Sequence, residues 1–129
     1  RRSSDLVLPQ RIATMTSYHQ SSLSTEKLID YRAIFSCAAA GDCLAIELRE
    51  QAINAWSALI INFIQSFDPA CVIIGGGIMA SAETILPPIR SYINRHAILS
   101  GGAVAIFAAE LGDQAALLGS EWIWRNKSK

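Results

Sequence analysis

The amino-acid sequence predicts an α/β fold in which parallel strands are covered by helices. Two short apolar runs, at residues 71–74 and 104–108, have the composition of strands, and a stretch with helical spacing separates them. A strand, a helix and a second strand in this order form a βαβ unit, whose strands lie parallel in one sheet. A long helical pattern precedes the first strand, so the fold is expected to be rich in helices.

The N-terminal part is expected to be less regular. Residues 1–24 are rich in Ser, Gln and Thr and show little periodicity, so we predict an irregular lead-in and assign residues 25–129 to one lobe. A helix is predicted over residues 25–39, because Ser24 is a suitable N-cap and Leu28, Tyr31 and Phe35 follow at helical spacing.

A long helix is predicted to begin after Asp42, whose carboxylate accepts hydrogen bonds from the free amides of a first helical turn. Its front half is amphipathic and its back half is almost entirely apolar, so the back half is expected to be enclosed. The helix should end at Asp68, since a residue before proline is pushed out of the α region. Apolar residues step along it by three and four: Ala45, Leu48, Ala52, Trp56, Leu59, Phe63 and Phe67.

The run at residues 71–74 is β-branched and continuous, which is typical of a strand buried on both faces. A helix carrying Glu83 in its first turn should follow, and Pro87 and Pro88 are expected to bend or restart it. Residues 100–102 should turn the chain into the second strand, and a last helix should carry Ala115, Leu118 and Trp122. Because two strands cannot form a stable sheet with helices on both faces, further strands are expected from sequence outside this chain.

Composition excludes several classes of function. Eleven basic and eleven acidic residues cancel, which gives no electrostatic reason to bind nucleic acid or an anionic membrane. The three cysteines lack the spacing of a disulfide framework or a zinc site and are expected to be reduced thiols in a cytoplasmic protein. No apolar run approaches the length of a membrane span, and the missing initiator Met suggests a start inside a longer product.

The junction formed by Gly75, Gly76 and Gly77 is the feature most able to bind a ligand. Glycine lets the backbone adopt positive φ and lets a flat ligand approach closely, and the amides of a following helix favour a phosphate. The run is neither the dinucleotide fingerprint nor a Walker loop. On pattern alone it indicates either nucleotide contact or a tight turn that permits close packing.

Other polar residues have simpler explanations. Asp42, Glu110 and Asp113 stand at element boundaries, where capping accounts for them. His19 and His96 have no ligand partner at helical spacing, so no metal site is predicted. An unpaired lobe should also expose apolar surface, which predicts self-association into a homo-oligomer.

Four stretches of the sequence form a specific combination in their order and spacing: AGD at 40–42, NFIQSFDP at 62–69, VIIGGGI at 72–78 and AELGDQAALLGS at 109–120. This combination resembles the C-terminal half of the ROK family, a group of sugar kinases and transcriptional repressors within the actin/hexokinase-like superfamily. The resemblance runs over residues 24–124, with two departures: Ala116 replaces a usual Gly and Ser120 a usual Ala.

The resemblance implies a partial actin-like (ribonuclease H-like) ATPase lobe in which Gly75, Gly76 and Gly77 lie against the adenosine end of ATP. The family's phosphate loop, catalytic Asp, sugar-binding residues and zinc segment are absent from this chain, so no catalytic residue is assigned. Full-length relatives are expected to use ATP with Mg²⁺ to phosphorylate a sugar bound by the other lobe, and this chain alone is expected to be inactive. The alternatives are the sugar-sensing effector domain of a repressor, with no direct nucleic-acid contact, or a purely structural module whose glycines serve packing.

Overall fold

The computed structural model describes residues 4–97 and 103–127. It divides into two compact units, Arg1–Trp56 and Ser57–Lys129. This division differs from the boundary after residue 24 suggested by composition, and the assignment of residues 25–129 to one lobe stays a prediction. The helices are α1 (Ser4–Ala13), α2 (Tyr31–Ala39), α3 (Cys43–Phe67), α4 (Ala82–His96) and α5 (Ala115–Asn126), and the strands are β1 (Cys71–Ile74) and β2 (Ala105–Ala108).

The first unit is helical and has its own core. Helix α1 and two short 3₁₀ helices, Tyr18–Gln20 and Ser22–Thr25, occupy the stretch predicted to be an irregular lead-in, so that prediction was wrong. The physical reason is that Ile12 is buried, with Leu8 and Met15 packed beside the same core, and that these three residues recur at helical spacing. The buried residues of this core are Ile12, Leu23, Ile29, Ile34, Cys37, Ala38, Leu44, Ala45 and Leu48.

Helix α2 begins later than the sequence predicted. Its N-cap is Asp30, whose carboxylate accepts a hydrogen bond of 2.8 Å from the Ala33 amide. Ser24 instead belongs to the 3₁₀ helix that Ser21 caps by accepting a hydrogen bond from the Leu23 amide. Ser24 and Asp30 are both suitable N-caps, but only Asp30 precedes an α-helix. This explains why the predicted start of α2 was too early.

Helix α3 has the predicted bounds. Asp42 accepts a hydrogen bond of 2.9 Å from the Ala45 amide at its start. Asp68 follows its last residue with a φ of +43°, and the Asp68 amide donates to the Ile64 carbonyl at 2.9 Å. The chain therefore leaves the helix through the left-handed region, which non-glycine residues rarely adopt.

Two parts of α3 differ in their surroundings. In the first unit, Trp56 stacks on Phe35 with ring centroids 6.3 Å apart, and Tyr31 meets it edge-on at 5.0 Å. In the second unit, Ile60, Ile61 and Ile64 are buried while Phe67 is 73% exposed. The expectation that the whole back half is enclosed was therefore wrong, because only one face of it is buried.

The second unit contains the predicted parallel pair of strands. Cys71 pairs with Ala105 and Ile74 with Ala108, with the intervening residues in register. Helix α4 packs against β2. Its buried residues are Ile85, Leu86, Ile89 and Ile93.

The strands are not buried on both faces within the described residues, which corrects a prediction. Ile73 is 65% exposed and its partner Phe107 is 52% exposed, whereas Ile106 on the opposite face is buried. Helix α4 continues through Pro87 and Pro88, so the predicted restart was wrong, and the predicted bend there stays a prediction. The predicted turn at residues 100–102 lies outside the described residues.

The predicted last helix is present as α5, and a 3₁₀ turn at Gly112–Gln114 precedes it. Its apolar side chains face solvent: Leu117, Trp122, Ile123 and Trp124 are all exposed. The described residues thus form a helix-rich α/β protein with one parallel strand pair. None of their helices combines the length and the apolar character needed to cross a membrane.

Candidate nucleotide-binding site

Strand β1 ends at a bare stretch of main chain. Gly75 and Gly76 follow the strand and are exposed, and Gly77 opens a 3₁₀ helix, Gly77–Ser81, that leads into α4. The Met79 amide donates to the Gly76 carbonyl at 3.0 Å and closes this turn. The three glycines therefore lie at a strand-to-helix junction, where Gly75 and Gly76 are open to solvent and Gly77 is half-buried.

Backbone conformation, not crowding, requires glycine at position 76. Its φ of 99° and ψ of 169° fall in a region that only glycine occupies readily. No atom of the described residues comes within 4 Å of the place where a Cβ would stand. At Gly75 an added Cβ would meet the Ala109 Cβ at an ordinary 3.5 Å. Close packing therefore does not account for these two glycines.

The end of β2 lies beside the junction. The Ala109 amide donates to the Ile74 carbonyl at 2.8 Å, so the two strands end at the same level. Beyond them, the 3₁₀ helices Gly77–Ser81 and Gly112–Gln114 contact each other. Ligands of open α/β sheets bind outside the carboxyl ends of the strands, and this edge has that position. No pattern in the sequence indicated that residues 112–114 would contact residues 77–81.

Asp42 belongs to the first unit and acts as a cap. Burial raises the pKa of its carboxyl, but hydrogen bonds from the Ala45 amide, the Ser22 amide and hydroxyl and the Ser21 hydroxyl outweigh this effect and lower the pKa to about 2. The Ser22 hydroxyl lies 2.8 Å and the Ser21 hydroxyl 3.0 Å from the carboxylate. The capping interpretation of Asp42 is confirmed.

The other two boundary carboxylates follow β2. Glu110 is exposed in the turn after the strand. The side chain of Asp113 lies outside the part of the chain that the structure describes. The N-cap of α5 is Gln114, which makes no capping hydrogen bond through its side chain. The capping interpretation of Glu110 and Asp113 therefore stays a prediction.

The remaining candidates do not assemble into a site. Within residues 4–97 and 103–127, no group of three or more His, Cys, Asp and Glu side chains is arranged to hold a metal ion. His19 lies against Tyr18 and His96 against Tyr92. Cys37 is buried, while Cys43 and Cys71 are exposed free thiols.

The first unit also contains a cleft that the sequence did not reveal. It has a volume of about 480 Å³ and is lined by residues of α1, α2 and α3 together with Thr14 and Met15. Its floor is mostly apolar, and Arg11 and Gln51 are among its polar residues.

Comparison with known proteins identifies the family. The ROK family model matches residues 10–127, which is most of the chain. The chain belongs to the ROK family. It is 30% identical over 116 residues to a glucokinase from Thermotoga maritima, a match that covers 85% of this chain and 36% of the glucokinase. It is 33% identical over 90 residues to the bifunctional enzyme NanE/NanK from Brucella melitensis, covering 70% of this chain and 17% of that enzyme.

A solved structure has the same fold as this ROK chain. It is the crystal structure of a protein from Cytophaga hutchinsonii that is provisionally classed as a sugar kinase. It superposes with a TM-score of 0.73 at 22% identity, over 95% of this chain and 40% of the other. This ROK chain thus spans a little over a third of the length of the glucokinase it matches.

Proposed function

We propose that this chain is the nucleotide-side lobe of an ATP-dependent sugar kinase with an actin-like, ribonuclease H-like fold. In the full-length protein, which we place in the cytoplasm, it would support phosphoryl transfer from ATP to a hydroxyl group of a hexose. The observation that carries the proposal is the open junction at Gly75, Gly76 and Gly77, in a chain whose relatives include glucokinases.

The geometry of the junction suits the binding of the adenosine part of ATP. Main chain without Cβ atoms at Gly75 and Gly76 leaves room for the flat faces of adenosine. The first amides of the turn that starts at Gly77 supply donors for polar edges of the nucleotide. These residues would hold and orient ATP, and we assign them no role in bond making.

The chemistry of transfer requires more than this lobe. Phosphoryl transfer depends on positioning and on neutralising the charge that develops on the phosphates, a task that Mg²⁺ performs when it is bound. The described residues include no carboxylate cluster at the junction that fits a metal ion. We therefore propose that the base, the metal ligands and the sugar site belong to another part of the full-length protein and that the 129-residue chain alone is inactive.

The test compares two glycines with similar backbone strain. Gly41 has a φ of 91° and, like Gly76, has no described atom within 4 Å of the place where an added Cβ would stand. Alanine at either site should strain the backbone by about 1–3 kcal/mol. In the full-length protein, Gly76→Ala should raise the KM for ATP about tenfold or more and leave the KM for glucose unchanged, while Gly41→Ala should change neither.

Three outcomes would contradict the proposal. The first is absence of ATP binding by the full-length protein in calorimetry. The second is an equal effect of Gly76→Ala and Gly41→Ala on the KM for ATP. The third is sugar binding without any phosphorylation, which would support the repressor alternative. Phosphorylation of glucose by the 129-residue chain alone would contradict the proposal that this chain is inactive by itself, but it would leave the proposed role of the glycine junction intact.

A further inference from the structure

The cleft in the first unit is large enough to hold a small ligand. Its volume of about 480 Å³ falls in the range of about 300–1,000 Å³ that is typical of small-molecule sites. Helices α1, α2 and α3 supply most of its walls, and every residue that lines it precedes Trp56. The cleft therefore belongs to the first unit alone and shares no residue with the glycine junction.

The floor of the cleft is apolar and held in place. Ile12 and Ile34 are almost completely buried and line it together with Leu48, which is also buried. All three side chains belong to the core of the first unit. Close packing of that core keeps the floor from closing the space above it. An apolar ligand lying on this floor would lose its contact with water, which favours binding.

Tyr31 forms a fixed aromatic wall of the cleft. It is the first residue of α2, whose N-cap Asp30 accepts a hydrogen bond of 2.8 Å from the Ala33 amide. Its ring meets the ring of Trp56 edge-on, with the centroids 5.0 Å apart. This arrangement is favourable for aromatic pairs and supports the ring from behind. The cleft thus has the apolar and aromatic lining that small-molecule sites usually have.

The charge of the cleft is positive. Arg11 is the only charged residue among the described residues that line it. Within residues 4–97 and 103–127 the one ion pair joins Arg125 to Glu121, so the Arg11 guanidinium has no carboxylate partner there. Arg11 stands in the last turn of α1, where the helix dipole supplies only about half a negative charge. A net positive charge therefore remains to attract an anion.

Two neutral polar side chains also line the cleft, and both are held by hydrogen bonds. The Thr14 hydroxyl donates to the Arg11 carbonyl at 2.7 Å. The Gln51 amide nitrogen donates to the Glu47 carboxylate at 3.0 Å, and Glu47 itself does not line the cleft. The Gln51 amide keeps its second N–H free. The cleft thus offers a guanidinium and an amide as donors to the polar end of a ligand.

We propose that this cleft binds a small amphipathic anion, a carboxylate or phosphate that carries an aliphatic chain of medium length. The anionic group pairs with Arg11, whose guanidinium matches the two oxygens of either headgroup. The aliphatic chain lies on Ile12, Ile34 and Leu48. The proposal does not rest on the proposed function, because no residue of the glycine junction takes part in it.

Two other classes of ligand fit the cleft less well. A free sugar would place hydroxyl groups on the apolar floor, where they would lose hydrogen bonds to water without replacement. A cationic amphiphile would meet the like charge of Arg11, and no acidic residue lines the cleft to offset the repulsion. The charge and the apolar floor together therefore favour an amphipathic anion.

Calorimetric titration with four compounds that share an octyl chain tests the proposal without any assay of activity. Octanoate and octyl phosphate should bind the chain with one site, and the tighter of the two identifies the headgroup. The uncharged 1-octanol should bind about tenfold more weakly, and octylammonium should not bind. Butanoate should bind at least about tenfold more weakly than octanoate, since each methylene contributes up to about fourfold in affinity. Equal binding of octanoate and 1-octanol would overturn the proposal.

The same titration of the full-length protein tests whether the cleft is free there. Octanoate should bind the full-length protein and the 129-residue chain with the same affinity within about threefold. Binding to the short chain alone would show that another segment of the longer protein fills the cleft, and this result would overturn the proposal.

The role of Arg11 is tested against Arg32, an exposed arginine of α2 that does not line the cleft. Arg11→Gln should weaken octanoate binding about tenfold and leave 1-octanol binding unchanged, because only the charged contact is lost. Arg32→Gln removes the same charge from the chain and should change neither. Equal effects of the two variants on octanoate binding would remove the role assigned to Arg11.

A bulky side chain at the rim gives an independent test. Ala55 lines the cleft and is exposed, so Ala55→Phe should fill part of the space without crowding the core. This variant should weaken octanoate binding at least about tenfold with little change in the melting temperature. Ala58→Phe, at an exposed position of the same helix outside the cleft, is the matched change and should bind octanoate as the wild type does. Equal binding by both variants would place the ligand elsewhere and overturn the proposal. Loss of ATP binding in the parent protein would affect the proposed function and leave all these titrations intact.

Discussion

The Ser22 main-chain amide donates a hydrogen bond of 2.7 Å to the Asp42 carboxylate, although twenty residues separate them in sequence. The same carboxylate caps α3 through the Ala45 amide. One side chain therefore fixes both the start of the longest helix and the 3₁₀ segment that precedes α2.

The Asp42 carboxylate should make stability depend on pH, and replacing it with an uncharged side chain should remove this dependence. The Asp42 pKa of about 2 lies below the value of about 3.9 expected in an unfolded chain. The stabilising contribution is thus complete above about pH 4 and is lost as the pH falls toward 2. Asp42→Asn should lower the free energy of unfolding by about 1 kcal/mol at pH 7. Chemical denaturation should show the difference from wild type shrinking at pH 2, and a constant difference would contradict the prediction.

Replacing Asp68, which follows α3 in a left-handed backbone conformation, by glycine should stabilise the protein. Asp68 has a φ of +43°, a conformation that costs an ordinary residue roughly 1–2 kcal/mol and glycine almost nothing. Asp68→Gly should therefore raise the free energy of unfolding by about 0.5 kcal/mol, after allowing for the added freedom of the unfolded chain. Asp68→Ala serves as the control for loss of the carboxylate and should be less stable than wild type. A reversed order of the alanine and glycine variants would refute this account.

Helix α4 should gain stability when its exposed proline is removed. Pro87 lies inside the helix and cannot donate to the carbonyl four residues earlier, that of Glu83. Pro87→Ala should raise the free energy of unfolding by about 1–3 kcal/mol, because Pro87 is exposed and little packing is lost. Pro69→Ala, outside any helix, is the matched change and should give no comparable gain. Thermal unfolding of the two variants measures this difference, and an equal gain for both would contradict the prediction.

The exposed apolar side chains of α5 should cause the chain to self-associate. Leu117 is 72% and Trp124 79% exposed, and large apolar surface promotes association. The double variant Leu117→Gln/Trp124→Gln should weaken self-association about tenfold or more in sedimentation measurements. Leu28→Gln removes an exposed leucine from the first unit and should leave association unchanged. A monomeric wild-type chain at high concentration would show the prediction to be wrong.

The elements with strong local signals were predictable from the sequence. A long apolar stripe follows the capping carboxylate of Asp42, and glycines follow the β-branched residues of Cys71–Ile74. Both stretches formed the expected helix and strand. Helix α1 escaped detection because Pro9 stands inside it, and proline is disfavoured in the interior of a helix. The start of α2 was misplaced because Ser24 and Asp30 are both good caps, and only tertiary packing chooses between them.

The candidate site was predictable only in part. The position of the glycine run was evident, since a strand and a helix flanked it. Glycine is needed at position 76 because of its φ and ψ values. The types of the neighbouring residues do not allow these backbone angles to be predicted. The contact of Arg90 with the Ile106 carbonyl joins residues of different elements, and an arginine on a helix surface gives no sign of its partner.

The aromatic cluster around Trp56 has a practical consequence for following the molecule in solution. Trp56 packs against Tyr31 and Phe35 in the first unit, whereas Trp122 and Trp124 stand in solvent on α5. Fluorescence emission from Trp56 should shift to longer wavelength when the first unit melts. At concentrations too low for self-association, the two α5 indoles should be quenched by iodide while that unit is still folded. Single-tryptophan variants would thus allow the unfolding of the first unit and the solvent exposure of α5 to be measured separately.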